Sequence, residues 1–466
     1  MSTYSTKSLY KITEKYMTSS NTEIAILIAK RVAAEGGRAY FVGGFVRDRL
    51  LGTENKDIDV EVHGISPASL EKILDSVGER ISMGESFGIY GLKGADVDVA
   101  MPRKEKVRGK GHRDFEVFVD PFIGTEKASA RRDFTVNAMM QDVLTGEIID
   151  HHGGREDLCR GVLRHVSDES FGEDPLRVLR LCQFAARFGF SAHPSTVEIC
   201  KKMDVSTLSR ERVDGELKKA LLKSERPSVF FELLRETEQL APWFAELLPL
   251  IGLRQDPKYH AEGDVWTHTM LVLDEAAKLR HKAEDPYGFM LAALTHDMGK
   301  ALCTEKVGDR IHSYGHEVKG LPVIRQFLSR LTAEKRLIRY VLSLAEYHMK
   351  PNTLAGAGSS VKSTNKMFDA VADPEALICL ALADSRGREK AGDNGDNSEF
   401  LYGRLEIYRE YMSRPYVTGK DLFEAGLHTG EQFSELLSFA HKLRLAGVDK
   451  ESALKQTIAM AKDNKR

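Results

Sequence analysis

The stretch FVGGFVRDRLLGTENKDIDVEV, residues 41–62, gathers the groups best able to do chemistry together. A strand turns successive side chains to opposite faces. Ile58, Val60 and Val62 therefore share one face, and Asp57, Asp59 and Glu61 the other. Asp57 and Asp59 then lie about 7 Å apart along the strand. Their hard oxygens suit Mg²⁺, which keeps waters and substrate phosphate in its shell. Two such ions can activate an attacking hydroxyl and stabilise a leaving pyrophosphate. Upstream, Gly43 and Gly44 remove side chains where a phosphate could approach, and Arg47 adds a fixed cation. The helix that follows offers free N–H groups at its start. Asp98, in DVDVAM, is a candidate third carboxylate from a neighbouring hairpin. A lone D-x-D is more often an ordinary wet strand face; here the glycine turn, the arginine and the strand fall together, which favours catalysis.

A second set lies in the later part of the chain: His268, the adjacent pair His296-Asp297 in LAALTHDMGK, His312, His316 in YGHE, His348 in AEYHM and Asp384 in LADSRGR. Any one of these histidines is more often a surface or satisfied side chain than a ligand. Adjacent residues on a helix do not share a face, so spacing alone does not join His296 to Asp297.

The elements that must position these groups follow from the apolar pattern. Residues 22–36 read as a helix with Ile24, Leu27, Ile28 and Val32 on one face. RAYFVGG (38–44) is a strand running into a turn, FVRDRLLG (45–52) a short helix stopped by Gly52, and DIDVEVHG (57–64) a second strand. SPASLEKILDSVG (66–78) is a helix with Pro67 near its start, and residues 88–101 alternate like a hairpin. MPRKEKVRGKGHRDFE (101–116) reads as a charged loop between strand-like segments. After about residue 166 strand signals nearly vanish and helical patterns run to the end. The turn-rich stretch GLRQDPKYHAEGD (252–264) marks a boundary, LAGAGSSVKS (354–363) a loop, and THTMLVLDEAAKL a helix from residue 267.

The 466 residues suffice for roughly two to four domains. Hydrophobic content of 42% and charged content of 29% exclude a disordered chain. A net charge of −2 neither indicates nor excludes a nucleic-acid partner. Five scattered cysteines with no CxxC pair argue against a disulfide framework or a structural zinc site. No apolar run approaches a membrane span, and the N-terminal MSTYSTKSLYKITEKYM lacks the apolar core of a secretory signal. The expected location is the cytoplasm, with no membrane partner.

GG-x-VRD-x-LLG followed by KDIDVEV resembles the class II tRNA nucleotidyltransferase and poly(A) polymerase family. ARRDFTVNAM (130–139) resembles its ribose-reading segment, FGEDPLRVLRLCQFAARFGF (171–190) its base-reading helix, and SRERVDGEL (209–217) the helix that comes next. H…HD…D resembles the HD superfamily of metal-dependent phosphohydrolases, and the order of parts resembles the multifunctional CCA proteins of bacteria.

The resemblance implies an α+β head of the polymerase-β-like nucleotidyltransferase type, followed by an all-α neck, HD domain and tail. The expected limits are 22–150 for the head, 151–250 for the base-reading and neck domain, 251–400 for the HD domain and 401–466 for a helical tail. It implies template-independent addition of CCA to tRNA 3′ ends from CTP and ATP, with Asp57 and Asp59 holding Mg²⁺. Gly44, Arg47, Arg132, Asp133, Glu173, Asp174, Arg177 and Arg180 would bind nucleotide. Asp174 and Arg177, about one helical turn apart, would read the base edge with Glu173 bracing the arginine. Arg132 and Asp133 would meet ribose or phosphate, and Arg180 the triphosphate. The 101–116 segment would be a loop near the active site that takes part in switching from CTP to ATP. Gln183 stands where many relatives carry another arginine, so a phosphate contact is weaker or absent there. In the HD part, His268, His296, Asp297 and Asp384 match the four ligands, and His316 and His348 the extra ligands of two-metal members. Imidazole with carboxylate suits Mn²⁺, Fe, Ni²⁺ or Co²⁺ better than Mg²⁺. Such a site would remove phosphate from 2′,3′-cyclic or 2′-phosphate ends. The rival readings are a poly(A) polymerase or an enzyme adding only CC or A, an HD phosphohydrolase with a nucleotide-sensing head, and a non-enzymatic RNA-binding protein. Oligomeric state is not readable from the sequence.

Overall fold

The computed structural model describes residues 20–55, 57–84, 88–107, 115–388, 397–427 and 431–463. The chain divides into two compact units, one up to Asp204 and one from Val205.

The first unit is built on a seven-stranded sheet of order β3-β4-β5-β2-β1-β8-β9. Its strands are β1 Arg38–Val42, β2 Ile58–His63, β3 Arg80–Gly84, β4 Ile89–Leu92, β5 Ala95–Ala100, β8 Met140–Asp142 and β9 Ile148–Ile149. β2 and β5 pair in parallel and the other neighbours antiparallel. Ile58, Val60 and Val62 are buried, as the period-two pattern requires. The helix Ser20–Ala34 covers this face, packing on β1, β2 and β5 and on the helix Pro67–Val77. Its buried stripe is Ala25, Ile28, Ala29 and Val32. Leu27, expected on that stripe, is 40% exposed. The i, i+3, i+4, i+7 set starts at Ala25 and leaves Leu27 about 150° from the centre of the stripe, nearly on the opposite face.

Part of the 101–116 segment expected as a loop is strand: β6 Arg103–Val107 pairs antiparallel with β7 Phe115–Val119. Residues 108–114, the centre of that segment, lie outside the described residues, as do residues 1–17, the stretch read for a secretory signal.

The second unit is mostly helical, yet the expectation of helices alone misses a hairpin, β12 Glu305–Val307 with β13 Arg310–His312. Gly308 at φ 62° and Asp309 make its two-residue turn, so the signal was present in EKVGDRIH. A short parallel pair, β10 Val162–Leu163 with β11 Ser191–Ala192, was missed in the first unit. LAGAGSSVKS is not one loop. The helices Lys350–Gly356 and Val361–Asp369 take most of it, because Ser360 caps the second through Ser363 N. The helix expected from residue 267 begins at Val265, with the Asp264 carboxylate capping Thr267 N at 2.8 Å. Among the described residues no helix is long and apolar enough to cross a membrane.

One backbone contact sets the geometry of the second unit. The turn after the helix Pro286–Thr295 meets the helix His316–Lys319 at Gly299 and Gly320, where a Cβ on Gly299 would lie 2.0 Å from the His316 carbonyl oxygen. No side chain fits, so Gly299→Ala must push the two segments apart. We expect a cost of at least about 1–3 kcal/mol, read as a lower urea midpoint; an unchanged midpoint would contradict the close approach.

Candidate functional site

In the first unit the face of the sheet opposite the helices carries the acidic groups. Asp59 and Asp98 are direct partners across the parallel β2–β5 pair, so their side chains leave the same face about 5 Å apart at the backbone. Asp57 immediately precedes β2 and is exposed. Partial desolvation raises the Asp59 carboxyl above its ordinary range; Arg132 opposes the shift, while Asp98 and Asp57 add to it. Asp98 is raised too, first by desolvation and then by Asp57 and Asp96. Gathered carboxylates of this kind are what a hard divalent cation relieves. The turn above them is open for the same reason. Gly43, at φ 66°, begins the helix Gly44–Leu50 without a side-chain cap. A Cβ there would sit 3.1 Å from Arg132 NH1 and 3.5 Å from Asp59 Oδ2.

Arg47 lies in this helix, but its guanidinium is buried. It bonds to Asp48 Oδ1 at 2.8 Å and to Asn137 Oδ1, and faces the Phe188 and Phe184 rings at 4.4 and 5.2 Å. Asn137 passes the connection on, donating to Asp133 Oδ1 at 3.0 Å. Asp133 Oδ2 takes Arg180 Nε at 2.7 Å. Burial would raise the Asp133 carboxyl, but Arg180 and Asn137 hold it below the ordinary range. A charged ladder thus runs from the glycine turn through the 130–139 segment to the helix Leu176–Phe188. Arg132 instead points to Glu61 Oε2 at 3.4 Å.

The helix proper starts at Leu176, and Asp174 and Arg177 are joined by the turn that enters it: Arg177 N bonds to the Asp174 carbonyl at 3.0 Å, and the Asp174 carboxylate caps Leu176 N at 3.0 Å. Arg177 is braced by carbonyl oxygens, NH2 on Arg131 at 2.7 Å and NH1 on Ser170. Asp174 and Glu173 add negative charge beside it. Gln183 is buried, with its Nε2 making no hydrogen bond.

In the second unit the structure brings His268, His296, Asp297, His316, His348 and Asp384 into one buried cluster. Asp297 is at its centre. Its Oδ2 lies 3.3 Å from His296 Nε2 and 3.6 Å from His268 Nε2, and its Oδ1 lies 3.1 Å from His316 Nε2 and 3.8 Å from His348 Nε2. His268 Nε2 also meets Asp384 Oδ1 at 3.0 Å. The Nδ1–H groups of His296, His316 and His348 donate to the carbonyl oxygens of Ala293, Ser313 and Ala345. Their Nε2 atoms therefore turn lone pairs toward the Asp297 oxygens and, for His316 and His348, toward each other at 3.3 Å. His296 Nε2 makes no hydrogen bond. Burial and His296 push His348 down to about 3, so a proton on that ring is no remedy. Imidazole nitrogens facing a carboxylate would suit a divalent metal ion, and Asp297 is shared by two groups of candidate ligands, one with His268 and His296 and one with His316 and His348. Helix geometry does not forbid the His296-Asp297 pair, because the helix Pro286–Thr295 has just ended.

His312 is not in the cluster; its ring stacks on Tyr314 at 4.8 Å. Sequence reasoning missed Lys300, whose Nζ lies 2.7 Å from Asp297 Oδ2, and Arg388, paired with Asp384. It missed Glu262 too, 2.9 Å from His268 Nδ1. Lys300 stood in the quoted LTHDMGK; nothing in the 252–264 stretch singled out Glu262.

Residues 39–164 match the Poly A polymerase head domain family and residues 265–388 the HD domain family. The Multifunctional CCA protein of Actinobacillus pleuropneumoniae serotype 5b is 36% identical over 362 residues, covering 75% of this chain and 85% of the relative. The chain belongs to the multifunctional CCA protein family. The Multifunctional CCA protein of Nitrosococcus oceani is 34% identical over 413 residues, covering 85% of this chain and 95% of the relative. Among solved structures, a Thermotoga maritima CCA-adding enzyme with tRNA matches with a TM-score of 0.65 at 20% identity, over 97% of this chain and 98% of that one. A Bacillus stearothermophilus CCA-adding enzyme with CTP matches at 0.61 and 22%, over 96% and 99%. These two likenesses bear on the fold alone: the nucleotidyltransferase head with its mixed sheet, the mostly helical remainder and the HD domain. The head and HD families both imply dependence on divalent metal.

The Arg180–Asp133 pair gives a test of the ladder. Arg180→Ala leaves Asp133 buried without its cation and should cost about 1–3 kcal/mol. Asp133 is depressed in the fold, so its stabilisation is present above its ordinary value and lost as pH falls below it. The deficit in urea midpoint should therefore be full near pH 7 and shrink as pH falls below the ordinary carboxylate range; a deficit independent of pH would contradict the assignment.

Proposed function

We propose that this chain adds CCA to tRNA 3′ ends from CTP and ATP, and that its HD part hydrolyses phosphoesters at damaged tRNA ends. The observation carrying the first activity is the pairing of Asp59 with Asp98 beside Asp57, next to a turn whose Gly43 contributes no side chain and where a Cβ would lie 3.5 Å from Asp59 Oδ2. Asp57 and Asp59 would hold Mg²⁺, which when bound activates the attacking hydroxyl and offsets charge on the leaving pyrophosphate. The tRNA 3′-oxygen bonds to the α-phosphorus, the bond from that phosphorus to the bridging β-phosphate oxygen breaks to release pyrophosphate, and Asp98, opposite Asp59 across the strand pair, would accept the hydroxyl proton. Gly43 and Gly44 admit the triphosphate. Arg132, near Gly43 and Asp59 and 3.4 Å from Glu61, would be the cation for phosphate or ribose, whereas Arg47 acts by fastening the turn.

Arg177 and Asp174 would present donors and an acceptor to the base edge. The carbonyl braces on Arg177 support this, because a held guanidinium discriminates better than a mobile one. Arg180, with Asp133 behind it, would meet the triphosphate, and Glu173 would add charge beside Arg177. The helical remainder would hold tRNA by shape and phosphate charge. The five free cysteines fit a cytoplasmic location.

In the HD part His268, His296, Asp297 and Asp384 would hold Mn²⁺, Ni²⁺, Co²⁺ or Fe, with His316 and His348 completing a second position. The ion supplies a nucleophilic water at neutral pH. Lys300 and Arg388, beside the carboxylates, would take charge from the phosphate.

Two substitutions separate the activities. Asp59→Ala should lower CMP and AMP incorporation into purified tRNA by about 10³-fold or more, several kcal/mol of barrier, while leaving hydrolysis of a 2′,3′-cyclic phosphate intact. His296→Ala should do the reverse. Full incorporation by Asp59→Ala would overturn the catalytic assignment, and full hydrolysis by His296→Ala the metal assignment.

A further inference from the structure

Three of the four imidazoles in the buried cluster are fixed by neutral carbonyls. His268 differs. Its Nδ1 lies 2.9 Å from Glu262 Oε1, an ion-pair distance without the alignment of a hydrogen bond, and both side chains are fully buried. His260 approaches the same oxygen through Nδ1 at 2.8 Å, and its ring meets that of His268 edge-on, 4.9 Å away. On its other side His268 presents Nε2 to Asp384 and Asp297. The order carboxylate, imidazole, ligand position is the arrangement by which an outer carboxylate orients a metal-binding histidine and raises its basicity.

We propose that Glu262 is a positioning residue of the HD metal centre, holding His268 with Nδ1 protonated so that Nε2 is the most electron-rich imidazole donor of the cluster. This rests on the reading that the cluster binds a divalent ion. The segment bearing Glu262 is itself tied to Asp297 through Lys300. Gln255 Oε1 accepts from Lys300 Nζ at 2.7 Å, and the same Nζ reaches Asp297. Gln255 N also bonds back to the Gly263 carbonyl at 3.2 Å. The irregular 252–264 stretch thereby brings a carboxylate to His268 without lying on any helix that carries a ligand.

The consequence is an uneven cluster. The His268 imidazole has a carboxylate oxygen 2.9 Å from its outer nitrogen, while on the other side His316 has a carbonyl and a more distant carboxylate, Glu317 at 3.6 Å, and His348 a carbonyl. The His268 side should bind metal more tightly, and Glu262 should be the reason.

The test is Co²⁺ affinity of the full-length protein, by chelator competition and by metal retained after desalting, with His296→Ala identifying the ion that belongs to this cluster. Glu262→Ala should weaken Co²⁺ binding about 10–100-fold. Glu262→Gln keeps the shape and an acceptor but loses the charge, and should fall between Ala and the parent with an unchanged Tm. Nucleotide incorporation into tRNA should match the parent in both variants, a result that general unfolding would not give. Glu262→Gln binding Co²⁺ as tightly as the parent overturns this inference alone. A parent that retains no ion dependent on His296 overturns the metal reading and this inference with it.

Discussion

Electron-rich atoms turned toward one another cost free energy unless a cation joins them, and each unit of this chain is built around such a conflict. In the first, Asp57, Asp59 and Asp98 gather on one face of a sheet whose other face is apolar core. In the second, three imidazole lone pairs converge on the oxygens of Asp297 in a fully buried pocket. Neither arrangement would form for its own stability. Both are held by packing elsewhere, and the choice of ligand atoms separates their chemistry. All-oxygen groups near solvent suit Mg²⁺ with a phosphate in its shell, whereas buried imidazole with carboxylate suits a softer ion and an activated water.

The scaffolding of each conflict is specific. Around the carboxylates it is a ladder of opposite charges, Asp48 to Arg47 to Asn137 to Asp133 to Arg180, with Phe184 and Phe188 over the arginine. It joins three stretches far apart in sequence, so the glycine turn and the helix Leu176–Phe188 keep one spacing. That spacing is what the proposed base selection by protein side chains would require. Around Asp297 the scaffold is backbone: three carbonyls that fix the imidazole tautomers, and the Gly299–Gly320 contact that brings His316 in.

Much of this was legible. The alternation in DIDVEV gave the buried and acidic faces of β2 correctly, because period two is a local property. The glycines before VRD pointed to an open turn for the same reason. What failed was long-range or depended on small residues. Leu27 looked like a core residue until Ala25 and Ala29 took its place against the sheet. Arg47 read as a phosphate ligand, and nothing local revealed that Asn137 and two phenylalanines would enclose it. His296 and Asp297 could be joined only by resemblance, since the end of the helix between them is set by tertiary structure. Glu262 carried no signal, because an irregular segment has no periodicity to read.

The account stands most directly on selection of nucleotide without a template. Purified tRNA lacking its 3′ end should be offered CTP alone, ATP alone and both, each with Mg²⁺ and with a chelator. CTP alone should add two C residues, both nucleotides should complete CCA and stop, and ATP alone or any mixture without Mg²⁺ should add nothing. Long adenylate tails from ATP alone, or incorporation that survives the chelator, would contradict it.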